Sequence, residues 1–429
     1  MIEMQLKKPW IQTRAAMSIA LLEGTLHAVF KEHRPADQYL KRIFRSDRRI
    51  GGRDRRLYAD LIFAVFRWYG PLHRHSSLPA FCLAGAAAAE KIDDPVCGIF
   101  LKAAGLEEAR QNELFEPESA EERLNAFFRL ARISEPVAME ECLPEWVFSH
   151  LDFTPDKDFF HLQQKRSPLW LRVQNRNVEG VVESLRQEGI QAEAPSRIEN
   201  ALRIPEAKVN LAELDAYKHG WIEVQDLSSQ CIGQICAPQP GQYWWDACAG
   251  GGGKSLQLAA LMHGQGTILA SDIRGRKLHE LKRRAGLAGF SIIRTREWDG
   301  VHRPVEENSC DGVLIDAPCS SSGRWRRNPE SRWLLTEKRV AELAAIQKKL
   351  LSSASKAVKP GGFLIFATCS LLCSENRLNV ESFLAAHPEF TLEKFPHPLT
   401  GETMPGYVQI LPQDGDCDAS FTARFRRRE

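Results

Sequence analysis

Residues 243–255 read YWWDACAGGGGKS: a short apolar run, an aspartate, four consecutive glycines, then a lysine and a serine. The pattern predicts a buried strand ending at Asp246, a turn in which the backbone can approach a ligand closely, and a helix beginning near Lys254. The alternation continues downstream. Residues 267–272 (TILASD), 290–295 (FSIIRT, ending near Asp299), 311–316 (DGVLID) and 362–369 (GFLIFATC) read as further strands. Residues 277–287 and 337–358 read as intervening helices. Strand, loop and helix in repetition imply α/β architecture: a parallel sheet with helices on both faces. Ligands of such sheets bind beyond the carboxyl ends of the strands. Every candidate residue named below falls at such an end.

Upstream the character differs. Segments 11–31, 57–69 and 120–132 space apolar residues three and four apart, so residues 1–150 are predicted to form an all-α domain. Residues 168–174 (PLWLRVQ) alternate like a strand, and 178–187 like an amphipathic helix. Residues 151–225 are therefore expected to be a small α+β connector, and 226–429 the catalytic α/β domain.

With 429 residues, 43% apolar and 26% charged, the composition is that of a soluble globular chain of two or three domains. The apolar or glycine run 80–89 is too short to span a bilayer, and nothing near Trp10 resembles a signal peptide. Eleven cysteines are scattered without a CxxC pair. No metal site is expected, and the thiols are predicted to stay reduced in a cytoplasmic protein. The net charge of +2 is nearly neutral, so a nucleic-acid partner must be sought locally. Residues 41–56 (KRIFRSDRRIGGRDRR) hold eight basic and two acidic side chains. Further clusters are Arg324-Trp-Arg-Arg-Asn and Arg426-Arg-Arg. Each is a candidate phosphate contact.

The glycine loop admits three readings. A P-loop would need glycine where Cys248 stands, which excludes it. A dinucleotide fingerprint finds Gly250 and Gly252 but meets Ser255 at its third glycine. A methyltransferase loop uses glycines to bring the backbone against S-adenosyl-L-methionine at a helix N-terminus. Asp272, 20 residues after Gly252, can hold ribose hydroxyls of either cofactor. Asp299 can accept from an adenine amino group. The alternative is that these aspartates simply cap helices.

Two cysteines follow strands four and five: Asp316-Ala-Pro-Cys319-Ser and Thr368-Cys369-Ser. Buried structural cysteine is the ordinary fate of the residue. Two thiols at adjacent strand ends, with an aspartate beside one, suit a specific reaction. Carbon 5 of cytosine is a poor nucleophile until a thiolate adds to carbon 6 and makes the ring an enamine. A carboxyl group at the ring N3 edge stabilises the developing charge. A further group must help to remove the carbon-5 proton.

The segments DACAGGGGKS, SDIRGRK, EWDG, DAPCSSSGRWRRNPE and ATCSLLCSEN resemble the successive motifs of the Sun family of RNA cytosine-5 methyltransferases, over residues 168–429. The resemblance implies a class I (Rossmann-like) methyltransferase domain using S-adenosyl-L-methionine on RNA, most naturally small-subunit ribosomal RNA. It places the nucleophile at Cys369, the adduct-release cysteine at Cys319, and the aspartate facing base and methyl group at Asp316. Cofactor contacts fall on Cys248, Ala249, Gly250, Gly251, Gly252, Gly253, Lys254, Asp272, Lys277, Asp299 and Asp316. The chain departs from the usual Ala-Pro-Gly-Gly-Lys-Thr loop by having Gly250-Gly251 for Ala-Pro. Lys277 replaces a common arginine and Ser321 a common glycine. The helical start, with RDRRLYADLIFAVFRWYG, resembles the NusB-like RNA-binding domain of the bacterial Sun/RsmB branch. A DNA cytosine-5 methyltransferase would also want a Pro-Cys segment after strand four, but it gives no reason for Thr-Cys-Ser after strand five. The other alternative is a non-enzymatic RNA-binding or assembly factor on a relic fold.

Overall fold

The computed structural model describes residues 8–106, 114–174, 176–194, 197–205 and 210–429. They fall into two compact units. The first comprises residues up to 149 together with 155–165 and 325–335. Its helices include Pro9–Phe30, Ala36–Ser46, Gly52–Arg67, Pro79–Ala89, Pro95–Ala103 and Ala120–Leu130. Local chemistry sets their ends. Proline opens three of them, where a missing N–H costs nothing. Ser119 and Glu122 form a reciprocal capping box, each side chain accepting from the other's backbone N–H at 3.1 Å. The helix Pro79–Ala89 is apolar on nearly every side and is buried accordingly. Its last carbonyls accept from the Arg123 guanidinium, 3.2 Å at Ala88 and 2.7 Å at Ala89, a cation placed at the negative end of the helix.

Residues 325–335 correct one expectation. Trp325 is fully buried, and Arg326 is buried with its Nε donating to Lys165 O at 3.1 Å. Arg332 donates to Cys142 O and Gln163 O at 3.0 and 3.1 Å. The Trp333 indole donates to Phe66 O at 2.8 Å and packs on Tyr69. The cluster at 324–328 is therefore mostly an anchor within the helical unit. Arg326 and Arg332 satisfy buried carbonyls, and Trp325 and Trp333 pack within the unit, whereas Arg324 stays exposed.

The second unit contains residues 150–154, 166–324 and 336–429. Strands β1 (Leu169–Val173), β2 (Ala201–Ile204) and β3 (Ile222–Val224) form a small antiparallel sheet in the order β2-β1-β3. The helix Val178–Gln187 follows β1, capped by Asn177, which accepts from Gly180 N at 2.8 Å. The main sheet holds β4 (Tyr243–Asp246), β5 (Thr267–Asp272), β6 (Ile293–Glu297), β7 (Cys310–Asp316) and β8 (Val358–Thr368). These five are parallel to their neighbours. Beyond them come β9 (Phe390–Leu392), a small β10–β11 ladder (Phe395–Pro396 and Thr403–Met404), β12 (Tyr407–Ile410) and β13 (Ser420–Arg427). The order is β12-β13-β8-β7-β4-β5-β6, with β13 antiparallel to β8 and β12 antiparallel to β13. The strand order reverses between β4 and β7, which opens a crevice at their carboxyl ends. This is a Rossmann-like methyltransferase fold.

Sequence reading stopped at five strands. β13 carries three arginines among its last residues and reads as surface, yet most of the strand is buried beside β8. The basic tail is consequently part of the sheet: Arg426 lies over the Phe363 ring at 4.8 Å and Arg427 donates to Val358 O. The third strand begins at Ile293, later than expected. The long helix ends at Ser355 and β8 begins at Val358.

Alternate residues of each strand pack on opposite faces. Trp245, Val313, Ile315 and Phe366 join one core, and Trp244, Ile268, Leu314 and Ile365 the other. Among the described residues no helix is long and apolar enough to cross a membrane. Gly312 on β7 lies opposite Trp244, and a Cβ there would sit 2.3 Å from the indole ring. Gly312→Ala is therefore expected to lower stability by about 1–3 kcal/mol through overpacking. Urea unfolding of the purified variant would measure it, and an unchanged midpoint would show that Trp244 has room to move.

Candidate active site

The glycine loop links β4 to the helix Gly253–Leu261. Gly250 and Gly252 adopt φ of +53° and +87°, which side-chain-bearing residues rarely adopt. At Gly252 a Cβ would also lie 2.0 Å from Leu281 Cδ1. Asp246 closes β4 beneath the loop, fully buried, and accepts from the Ser255 hydroxyl at 2.6 Å. Burial pushes its carboxyl up to about 7. Its other oxygen, Oδ1, is buried without a hydrogen-bond partner.

Asp272 closes β5 and pins the loop from the side. It accepts from Gly250 N at 2.9 Å, from Arg274 N at 2.9 Å and from Arg274 Nε at 3.0 Å. Burial works to raise this carboxyl, but those hydrogen bonds hold it below its ordinary value. Ala249 N donates to Ser271 O at 2.8 Å, fixing the loop's start. The half-buried Cys248 thiol is pushed above its ordinary value by desolvation.

Lys254 crosses from the loop to β7, its Nζ donating to Asp316 Oδ2 at 2.6 Å. Burial disfavours the ammonium, yet the Asp316 charge holds it above its usual range. The two sulfurs meet next to this pair. Cys319 Sγ and Cys369 Sγ are 3.3 Å apart, and Ser321 Oγ lies 3.5 Å from Cys369. The proton is shared unequally. Contacts with the Cys319 thiol and the Ser321 hydroxyl hold the Cys369 thiol below its ordinary value. The bond to Cys369, burial and the Glu375 charge raise Cys319. Of the two thiols, Cys369 is the one whose deprotonation its surroundings favour.

The structure brings together Cys248 to Lys254, Asp272, Asp316, Cys319 and Cys369. Lys277 and Asp299 have other partners: Lys277 pairs with Glu280 at 2.8 Å on the following helix. Asp299 is exposed and accepts from Val301 N and His302 N, contacts that hold its carboxyl at about 2. Sequence reasoning missed the groups that bind the two cysteine loops to each other. Glu375, wholly buried, accepts from Ser320 N at 2.8 Å and from the Ser370 hydroxyl at 2.6 Å. Gly323 N donates to Cys369 O at 2.9 Å, and Leu371 N to the Ser322 hydroxyl at 2.8 Å. An acidic residue in the otherwise uncharged run 368–375 was the available signal. Ser321 has φ +58°, which explains why glycine suits that position. Among the described residues no group of three His, Cys, Asp or Glu side chains is arranged to hold a metal.

Ser321→Ala keeps the backbone but removes the hydroxyl that favours the Cys369 thiolate, so the Cys369 pKa should rise. The pH profile for alkylation of Cys369 by iodoacetamide, followed by peptide mass spectrometry, should move to higher pH. An unmoved profile would remove Ser321 from the thiolate's surroundings.

Residues 233–426 match the family described as 16S rRNA methyltransferase RsmB/F. A probable ribosomal RNA small subunit methyltransferase B from Synechocystis sp. is 34% identical over 255 residues, covering 58% of this chain and 57% of that protein. The ribosomal RNA small subunit methyltransferase B of Erwinia tasmaniensis is 32% identical over 291 residues, 66% of each chain. The chain thus spans a little over half to about two thirds of the length of these relatives. The crystal structure of PH0851 superposes with a TM-score of 0.74 at 25% identity, covering 98% of this chain and 100% of that one. Over residues 233–426 the chain is thus similar to the RsmB/F family of methyltransferases.

Proposed function

We propose that this protein methylates carbon 5 of a cytosine in small-subunit ribosomal RNA, with S-adenosyl-L-methionine as methyl donor and Cys369 as nucleophile. The observation that carries the reading is the 3.3 Å thiol pair at the ends of β7 and β8, next to the Lys254–Asp316 contact. The cofactor suits the residues present. Gly250 and Gly253 leave side-chain space open at the helix N-terminus, since an added Cβ would meet only Arg274 Nη2 at 3.9 Å at the first and nothing within 4 Å at the second. The Asp272 carboxylate keeps lone pairs for ribose hydroxyls beyond the bonds it already accepts. Bound there, the cofactor supplies an electrophilic methyl group to carbon 5 of the activated ring.

The protein's own groups perform the remaining steps. The Cys369 thiolate adds to carbon 6 of the flipped base, forming a C–S bond and turning the ring into an enamine. Asp316, steadied by Lys254, faces the ring's polar edge, where its carboxylate accepts from the cytosine amino group, and the Lys254 ammonium offsets the negative charge that develops on the ring. Adduct formation consumes the negative charge that raised Cys319. The Cys319 proton is then more easily lost to solvent, leaving a thiolate to take the carbon-5 proton. Loss of that proton breaks the C–S bond and restores the Cys369 thiolate.

The helical unit supports an RNA partner. Lys41, Arg42, Arg45, Arg48, Arg49, Arg53 and Arg56 are exposed along two helices and their connection. Arg49 is engaged by Asp47 at 2.7 Å, which leaves Arg45 and Arg48 as better probes. Reversing both to glutamate should weaken RNA binding and flatten its dependence on salt concentration, because fewer counterions are released. Binding titrations at several ionic strengths test this, and an unchanged slope would make the cluster ordinary solvated surface.

The mechanism is tested by separating the two thiols. With substrate RNA and labelled cofactor, Cys369→Ala should yield neither methylated RNA nor a covalent complex. Cys319→Ala should trap protein on RNA as an adduct that survives a denaturing gel. The opposite pattern would exchange the two roles, and normal methylation by both variants would sink the covalent mechanism.

A further inference from the structure

Four consecutive glycines make the least constrained backbone a loop can have, and an unconstrained loop binds its ligand weakly because ordering opposes binding. Here the loop's carbonyl oxygens are held from outside. Arg284, on the helix Gly275–Ala288, donates from Nη1 to Gly251 O. The same guanidinium grips both oxygens of Glu223 on β3, with Nε 3.1 Å from Oε1. Arg172, on β1 and buried, donates from Nη2 to Gly253 O at 3.3 Å and from Nε to Gln225 Oε1 at 2.6 Å. Gln225 in turn donates to Gln257, on the helix that the loop starts, at 3.0 Å.

Gly251 shows that the contact is specific. Its φ is not left-handed, so its conformation does not demand glycine. A Cβ there would lie 3.1 Å from Arg284 Nη1 and 3.6 Å from Glu280. The missing side chain admits the guanidinium. Tying down carbonyls also leaves the N–H groups of the helix N-terminus for a ligand.

We propose that Arg172 and Arg284 are positioning residues, rooted in the small antiparallel sheet through Gln225 and Glu223, that hold the loop 250–253 in its binding shape. The inference rests on the cofactor reading above and adds which residues set the affinity. They touch neither cofactor nor base, so their loss should weaken S-adenosylmethionine binding without slowing transfer once the site is filled.

The test uses the full chain carrying Arg284→Met, and Glu223→Gln with Arg284→Met so that no carboxylate is stranded. Amide hydrogen exchange of residues 250–254 is measured without ligand, S-adenosylmethionine Kd by calorimetry, and kcat at saturating cofactor. Exchange in the loop should quicken and Kd should rise on the order of tenfold, as for other outer-shell partners, while kcat changes less than about twofold. Adding Gly251→Ala to Arg284→Met, which keeps the N–H and removes the guanidinium the new methyl group would meet, should recover part of the affinity by narrowing the loop's conformational freedom. Unchanged loop exchange and Kd in the folded variants would overturn the proposal. So would a loss of kcat matching the loss of affinity with no recovery from alanine at 251, which would make the arginines general structural supports. Failure of the unaltered protein to bind S-adenosylmethionine would instead overturn the cofactor reading, and the exchange rates would still decide whether the arginines hold the loop.

Discussion

The parallel pairing of β7 with β8 sets the distance between the two thiols. Asp316 lies opposite Ala367, so Cys319 follows three residues after one partner and Cys369 two residues after the other. A register slip of one residue would turn every side chain of β8 to the opposite face and carry Cys369 away from Cys319. The slip is opposed by both cores. Leu364 and Phe366 must meet Trp245, Val313 and Ile315 on one face while Ile365 meets Leu314 and Trp244 on the other. The chemistry thus depends on packing distributed through the whole sheet, and Gly312, which admits the Trp244 ring, belongs to the same constraint.

Beyond the strand ends the loops need their own cross-links, because no ladder reaches them. Glu375 joins Ser320 to Ser370, and backbone bonds join Gly323 to Cys369 and Leu371 to Ser322. A buried carboxylate is tolerable here because several donors satisfy it. Its charge also acts on the thiols, raising Cys319 while Ser321 favours the thiolate of Cys369. The groups around the paired cysteine loops therefore also make the two sulfurs unequal in acidity.

Much of this was legible in advance for a physical reason. Parallel strands buried on both faces are continuous apolar runs, and each ends in a polar residue at the crevice. Asp246, Asp272, Asp316 and Cys369 could accordingly be placed at strand ends from the sequence. At the sheet's other side β12 is only four residues long, and the arginines of the mostly buried β13 interrupt its apolar pattern, so both escaped notice. Clusters of basic residues proved least readable, since composition does not distinguish a solvated arginine from one that caps a buried carbonyl. Arg42, Arg45 and Arg48 are exposed, whereas Arg326 and Arg332 are among the most buried side chains of the chain.

The sequence by itself determined the order of strands and helices, the glycine loop and the two cysteine segments, because these follow from local periodicity and from residues adjacent along the chain. Tertiary structure alone decided that Glu223 and Arg284, 61 residues apart, share a bidentate contact, that Arg172 reaches Gly253 O across 81 residues, and that 325–335 packs among helices. It also decided which of the two thiols is the more acidic. Those outcomes depend on distances through space and on burial, and neither is written in the spacing of residues along a chain.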